Sequence, residues 1–368
     1  MRSACPAVTH ARAAVLRTPG GPLALEEIEI EDPRPDEVLV RLVSVGICRT
    51  DTHALREVAP PAVLGHEGAG VVERTGANVT KVHVGQPVAL TFHSCGTCPR
   101  CLRGQVAYCD RFLPLNFSGR RPDGSSALSA NGEAIAGHFL GQSSFATHAL
   151  AHERSVVPLP DDVDLRPIGP FGCGFQTGAG AVLNALRPRA RSSLAVFGAG
   201  AVGLAAVAAA ALVGADPIVA VDVVPERLER ARTLGATEVV DARREDAARA
   251  LADLAPGGLD FSLETTGAAS VLAVAVGALS TRGVCGVIGA GGSPEMVLDW
   301  RTVLNGRTVT GIIAGDSVPD LFLPELVALY RAGRFPVDSL IEYFPFEDIN
   351  AALEASEAGR VVKPVLTF

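Results

Sequence analysis

The chain has 368 residues, 48% of them hydrophobic and 20% charged, a globular composition that excludes extended disorder and collagen-like or coiled-coil architecture. At roughly 150 residues per domain it predicts two domains, with enough core to fold without disulfide staples. A balance of 32 basic against 40 acidic residues leaves a net charge of −8; the basic footprint of a nucleic-acid binder is missing, and neither DNA nor RNA is expected as a partner.

In chain order, Met1 to Ala14 contains Arg2, His10 and Arg12 but no continuous apolar stretch of signal-peptide length, so a cytoplasmic protein is expected. The valine-rich runs 38–45 and 82–90, punctuated by turn residues such as Gly76 to Asn78, predict a β-rich first region. From about residue 192 the pattern changes. Short apolar runs at 194–197, 218–221, 261–263 and 284–288 alternate with Ala-rich helical stretches such as 225–234, the pattern of a parallel α/β sheet. Ser192 to Ala215 is uncharged and long enough to span a bilayer, but alanine dominates it and Gly198, Gly200 and Gly203 interrupt it, so it reads as buried core and no membrane association is expected. A helix at 321–332 and a strand at 361–368 close the chain and are expected to rejoin the first domain.

LAVFGAGAVG places Gly198, Gly200 and Gly203 in a G-x-G-x-x-G pattern where a predicted strand turns into a helix. The first glycine permits the tight turn, the second lets backbone approach a pyrophosphate, and the third allows close helix–strand packing. Asp222, just past the next predicted strand, would accept hydrogen bonds from a ribose diol and repel a 2′-phosphate, which favours NAD over NADP. Arg227 offers either a contact to the adenosine ribose or a solvated helix charge, and acceptance of NADP stays open.

Cys95, Cys98, Cys101 and Cys109 follow C-x2-C-x2-C-x7-C. One loop can wrap these four thiolates around zinc, and a full set of four leaves no open position, the mark of a structural site; an Fe–S cluster is the alternative. Of the remaining Cys5, Cys48, Cys173 and Cys285, Cys48 opens CRTDTH and Cys173 sits in GCGFQTGAG, with His66 and Glu67 between them in GHEGAG. Two thiolates and one imidazole would leave zinc an open fourth position, as in catalytic sites. Taken singly, each of these residues also reads as an ordinary core side chain.

The strings CRTDTH, GHEGAGVV, C-x2-C-x2-C-x7-C, GCGFQTGAG and GAGAVG, in that order, resemble the zinc-dependent medium-chain alcohol dehydrogenases over nearly the whole chain, and GCGFQTGAGAV with GQSSFATHAL is most similar to their aryl or benzyl alcohol branch. The resemblance implies an α/β protein: a GroES-like catalytic domain at 1–174 and 315–368 around a Rossmann domain at 175–314. It implies Cys48, His66 and Cys173 on a catalytic zinc with Glu67 as an occasional fourth ligand, and Cys95, Cys98, Cys101 and Cys109 on a structural zinc, two ions per chain. Asp51 would orient His66, Thr50 would take the alcohol proton, and His53 would pass it to solvent. Arg49 and Lys363 would hold the cofactor pyrophosphate, and Thr177 would lie beside the nicotinamide. Many aromatic-alcohol enzymes carry His where this chain has Arg49, the stretch between His53 and His66 is shorter than in many relatives, and Gln86 replaces a common Asp.

The expected activity is NAD-dependent interconversion of a primary aromatic or allylic alcohol and its aldehyde, with zinc as Lewis acid. Phe92, Leu115, Phe139 and Ile313 are candidate pocket residues. The alternatives are a thiol-adduct-dependent formaldehyde dehydrogenase and a non-catalytic zinc-bearing scaffold. A homo-oligomer is expected, a dimer before a tetramer.

Overall fold

A computed structural model describes residues 8–289, 295 and 297–368; Cys5 lies outside them. Contacts divide the chain into two units, one of Met1–Cys173, Val318–Val327 and Ile341–Phe368, the other of Gly174–Ser317 and Ala328–Leu340. Contacts group Ala328–Leu340, within the segment expected to rejoin the first domain, with the second unit.

The first unit is built on two sheets, an antiparallel one of five strands and one of seven that is antiparallel except where Ile341–Pro345 pairs in parallel with Lys363–Thr367. Its opening hairpin shows why: in Leu23–Glu31 the buried Ile28 and Ile30 alternate with outward Glu27, Glu29 and Glu31, the period of a strand with one wet face. Strand Glu37–Gly46 is the hub of the second sheet. It pairs with Gly68–Thr75 on one side and the C-terminal strand Lys363–Thr367 on the other. That register sets Val45 opposite Gly68 and Gly46 opposite Val365, so the chain around His66 and Glu67 and the C-terminal strand meet at one strand end. Only Pro87–Leu90 of the run expected at 82–90 is a strand. His83 to Gln86 instead form a turn closed by Gln86 N–H on the His83 carbonyl, with Gly85 at φ +88°, a conformation glycine adopts without strain.

The second unit carries six parallel strands in the spatial order Glu238–Asp241, Ile218–Asp222, Leu194–Phe197, Leu259–Glu264, Leu279–Val287, Thr308–Gly311. The order reverses between Leu194–Phe197 and Leu259–Glu264, where doubly wound sheets open a crevice at their carboxyl ends. Ser192 to Ala215 forms the central strand and the helix Ala201–Leu212, buried along most of its length; this burial accounts for the lack of charge. No helix among the described residues is long and apolar enough to cross a membrane.

Candidate active site

In the first unit the hub strand ends at Gly46, and Cys48 caps the helix Arg49–Glu57, with the Asp51 carboxylate accepting from Cys48 N–H at 2.9 Å. The other Asp51 oxygen lies 2.7 Å from His66 Nδ1 and also accepts from Gly65 N–H. Fully buried Asp51 therefore holds the His66 ring with Nδ1 as donor, which leaves Nε2 as the free donor atom toward a metal. Nε2 is buried and has no hydrogen-bond partner among the described residues. One ligand atom each from Cys48, His66, Glu67 and Cys173 lie within 4.8 Å of one another. A buried imidazole nitrogen with nothing to bind, beside two thiols and a carboxylate, fits a metal ion better than any other occupant. Burial opposes charge on His66, but Asp51 raises its pKa well above the ordinary value. The Cys173 thiol holds Cys48 well below the ordinary thiol range, and Cys173 is pushed up in turn.

Lys363, expected at a cofactor pyrophosphate, is buried within the first unit. Its buried ammonium donates to both Glu67 carboxylate oxygens at 2.9 and 3.0 Å and to the Ile47 carbonyl at 2.9 Å, so its three protons are taken up within the first unit. Gly46 makes this possible, since a Cβ there would stand 2.0 Å from Glu67 Oε2. Thr50 Oγ1 is 3.9 Å from Cys48 Sγ, and exposed Arg49 donates from Nε to His53 Nε2 at 3.4 Å. Phe139 packs edge-on against His66 with ring centroids 5.7 Å apart, and Phe117 packs edge-on against Phe139 at 5.9 Å. Phe92 and Leu115 are buried, whereas Ile313 is 42% exposed.

Cys95, Cys98, Cys101 and Cys109 also gather within 4.8 Å, with Cys95 to Cys101 sulfurs 3.9 Å apart and Cys98 to Cys109 sulfurs 4.0 Å apart. Four sulfurs about 2.3 Å from one tetrahedral ion would stand about 3.8 Å apart, so the set fits a closed metal site. Backbone N–H groups of Cys98 and Arg111 point at Cys95 Sγ and Cys109 Sγ; such bonds favour the thiolate and the Cys95 thiol pKa is held at about 6, whereas burial pushes the Cys109 thiol up.

In the second unit Gly198 takes φ +94°, a Cβ at Gly203 would stand 1.8 Å from the Gly198 carbonyl oxygen, and a Cβ at Gly200 would meet nothing within 4 Å. The backbone is tight where helix and strand meet and open where an anion would approach. Asp222 closes the turn: its Oδ1 accepts from Val223 and Val224 N–H, and its Oδ2 accepts from Ala199 N–H at 2.5 Å and keeps acceptor capacity for a ribose hydroxyl. Arg227 Nε is buried with no partner among the described residues. Thr177 lies buried in the helix Gly174–Gly180.

Residues 34–161 match the family model described as alcohol dehydrogenase GroES-like domain, and 201–329 that described as zinc-binding dehydrogenase. A geraniol dehydrogenase of Castellaniella defragrans is 43% identical over 365 residues, spanning 97% of this chain and 98% of that one. The chain belongs to the zinc-dependent medium-chain alcohol dehydrogenase family. Solved members bear this out across the whole fold: a benzyl alcohol dehydrogenase from Acinetobacter calcoaceticus superposes with a TM-score of 0.94 at 41% identity, covering 98% of this chain and 99% of that one. An alcohol dehydrogenase zinc-binding domain protein from Burkholderia ambifaria reaches a TM-score of 0.96 at 46% identity, covering 98% and 100%. The family identity makes the protein an alcohol oxidoreductase with a GroES-like unit and a Rossmann unit. Sequence reading missed Gln142, whose buried amide bonds the backbone on both sides of Glu67, and Asn116, whose buried amide bonds the His93 backbone; neither stands in a recognisable spacing pattern.

Proposed function

We propose that the protein is an NAD-dependent, zinc-dependent aryl-alcohol dehydrogenase that interconverts a primary aromatic or allylic alcohol and its aldehyde, with hydride passing to or from the nicotinamide. The observation that carries this reading is the unpartnered, buried His66 Nε2 among Cys48, Cys173 and Glu67. Cys48, His66 and Cys173 would hold the catalytic zinc, Glu67 would serve as an occasional ligand, and the four-cysteine cluster would hold a structural zinc. Bound there, zinc supplies Lewis acidity toward an alcohol or carbonyl oxygen.

The chain's own groups do the rest. Asp51 fixes the His66 tautomer. Thr50, beside Cys48, accepts the alcohol proton, and His53, near the surface, releases it to solvent, a task suited to imidazole. Gly198, Gly200 and Gly203 admit the cofactor pyrophosphate, Asp222 accepts from its ribose and repels a 2′-phosphate, and Arg49, Thr177 and Arg227 complete the cofactor contacts. Phe139 and Phe117 give the site an apolar aromatic wall, which suits conjugated alcohols; the relatives named for geraniol and benzyl alcohol support the same class. The functional unit is a homodimer.

A panel of alcohols and aldehydes assayed with NAD and with NADP tests the reading. Turnover of benzyl or allylic alcohols with NAD, well above that of ethanol, is expected. A rate with a hydroxymethyl thiol adduct far exceeding that with benzyl alcohol would replace it with the formaldehyde-type reaction.

A further inference from the structure

Gln142 is 1% exposed and lies in a turn whose backbone is forced: Leu140 and Ser143 take φ +48° and +50°, with Gly141 at +72° between them. Non-glycine residues held in the left-handed region are strained and persist where surroundings over-determine them. The determinants are visible. Ser143 Oγ donates to the Val63 carbonyl at 2.6 Å and accepts from Phe139 N–H, while Ser144 and Phe145 N–H donate to the Gly65 and Leu64 carbonyls. The Gln142 side chain then reaches the stretch that carries two candidate ligands. Its Nε2 donates to the His66 carbonyl at 2.9 Å, and its Oε1 accepts from Gly68 N–H at 3.1 Å and from Ser144 Oγ at 2.5 Å. One planar amide thus grips the backbone on both sides of Glu67. Space for this grip comes from glycines: a Cβ on Gly68 would stand 3.1 Å from Gln142 Oε1, and one on Gly65 would stand 2.5 Å from Phe145. The strings GHEG and GQSSF are two halves of one device. The same turn sets Phe139 against the His66 ring.

We propose that Gln142 is a positioning residue for the metal centre: its buried amide fixes the His66–Gly68 backbone so that His66 and Glu67 present their donor atoms to the same point as the Cys48 and Cys173 sulfurs. The inference rests on reading that cluster as a metal centre. Partners that orient ligands change metal affinity by about 10- to 100-fold when removed.

Gln142→Met keeps the length of the side chain and removes both its donor and its acceptor. Ser144→Ala, which removes only the donor to Oε1, is the milder companion and carries the test if Gln142→Met does not fold. With cobalt in both sites, chelator competition followed by the visible absorption of the centre should show cobalt leaving the Cys48 cluster about 10- to 100-fold more readily in Gln142→Met and to a smaller extent in Ser144→Ala. Retention at the four-cysteine cluster should be unchanged. Folded variants that retain cobalt at the Cys48 cluster with parental affinity and spectrum would overturn the role of Gln142. A parent protein that takes up no metal there would overturn the metal-centre reading itself, and the inference with it.

Discussion

Lys363 shows how far a single residue's role depends on a partner remote in sequence. Its ammonium and the Glu67 carboxylate are buried together; burial alone would lower the lysine pKa and raise that of Glu67, and their mutual attraction holds Lys363 above its ordinary value. Removing one member of such a pair leaves charge in a poor solvent and costs about 3–5 kcal/mol. Lys363→Met should lower unfolding stability in urea by that amount, whereas a lysine serving only a pyrophosphate would change NAD affinity and leave stability alone. Asp222→Gly tests the other unit. Losing hydrogen bonds to a carboxylate should weaken NAD by about tenfold to hundredfold with little change for NADP, read by fluorescence titration of both reduced cofactors; equal losses would show that the carboxylate does not meet the ribose. Asp222 was legible in the sequence because its meaning lies in local spacing after a glycine turn. The partnerships of Lys363 with Glu67 and of Gln142 with the His66–Gly68 backbone were not, since those partners lie 296 and 74 to 76 residues away and a lone polar residue carries no sign of which group it will meet.

Elements were legible where burial imposes a period. The uncharged apolar runs at 194–197 and 218–221 predict strands buried on both faces, and both form such strands. Short irregular pieces escaped, among them the turn at residues 138–143, because close contacts rather than periodicity shape them. That turn begins at His138, which is 8% exposed with neither ring nitrogen partnered among the described residues. Burial pushes its pKa down from 6.5 to about 4. The unfolded chain therefore binds this proton first as pH falls below about 6.5, and stability drops until about pH 4, where the folded protein is protonated too. The shift corresponds to roughly 3 kcal/mol. Arg121, donating from two nitrogens to buried Glu37, holds that carboxyl below its ordinary value against burial, so its contribution is also lost at the acid end. His138→Phe should reduce the fall of urea-unfolding stability between pH 6.5 and 4, with His93 and His152, which burial also holds down, keeping part of it; a slope equal to the parent's would exclude His138 as a cause. In the cysteine lobe, Cys101→Ser should remove one of two zinc ions per chain by metal analysis and make the segment Cys95 to Cys109 the first site of proteolysis, while Cys48→Ser should remove the other ion and leave the lobe protected.

At the scale of the molecule, the two-part organisation was legible from the change in pattern near residue 192, and the ligand strings foretold the family, but association of copies is written only in the folded surface. Strand Thr308–Gly311 pairs with Leu279–Val287 on one side and forms the edge of the six-stranded sheet. Exposed edges of this kind invite pairing with another chain. Beside it in the sequence, Val297, Trp300 and Leu304 are 86%, 64% and 71% exposed, and apolar residues gathered at a surface mark association sites. A two-fold axis at the edge would set the same strand of two copies antiparallel and cover the same patch on both, the self-complementary arrangement that closes a dimer without open-ended growth. Sedimentation velocity should therefore give the mass of a dimer. Trp300→Asp combined with Leu304→Asp, which puts two like charges from each copy into the contact, should shift the population to monomer at micromolar concentration. A dimer unaffected by both charges would place the interface elsewhere, and a monomeric parent would remove the homodimer from the proposed function while leaving both metal clusters, each contained within one chain, untouched.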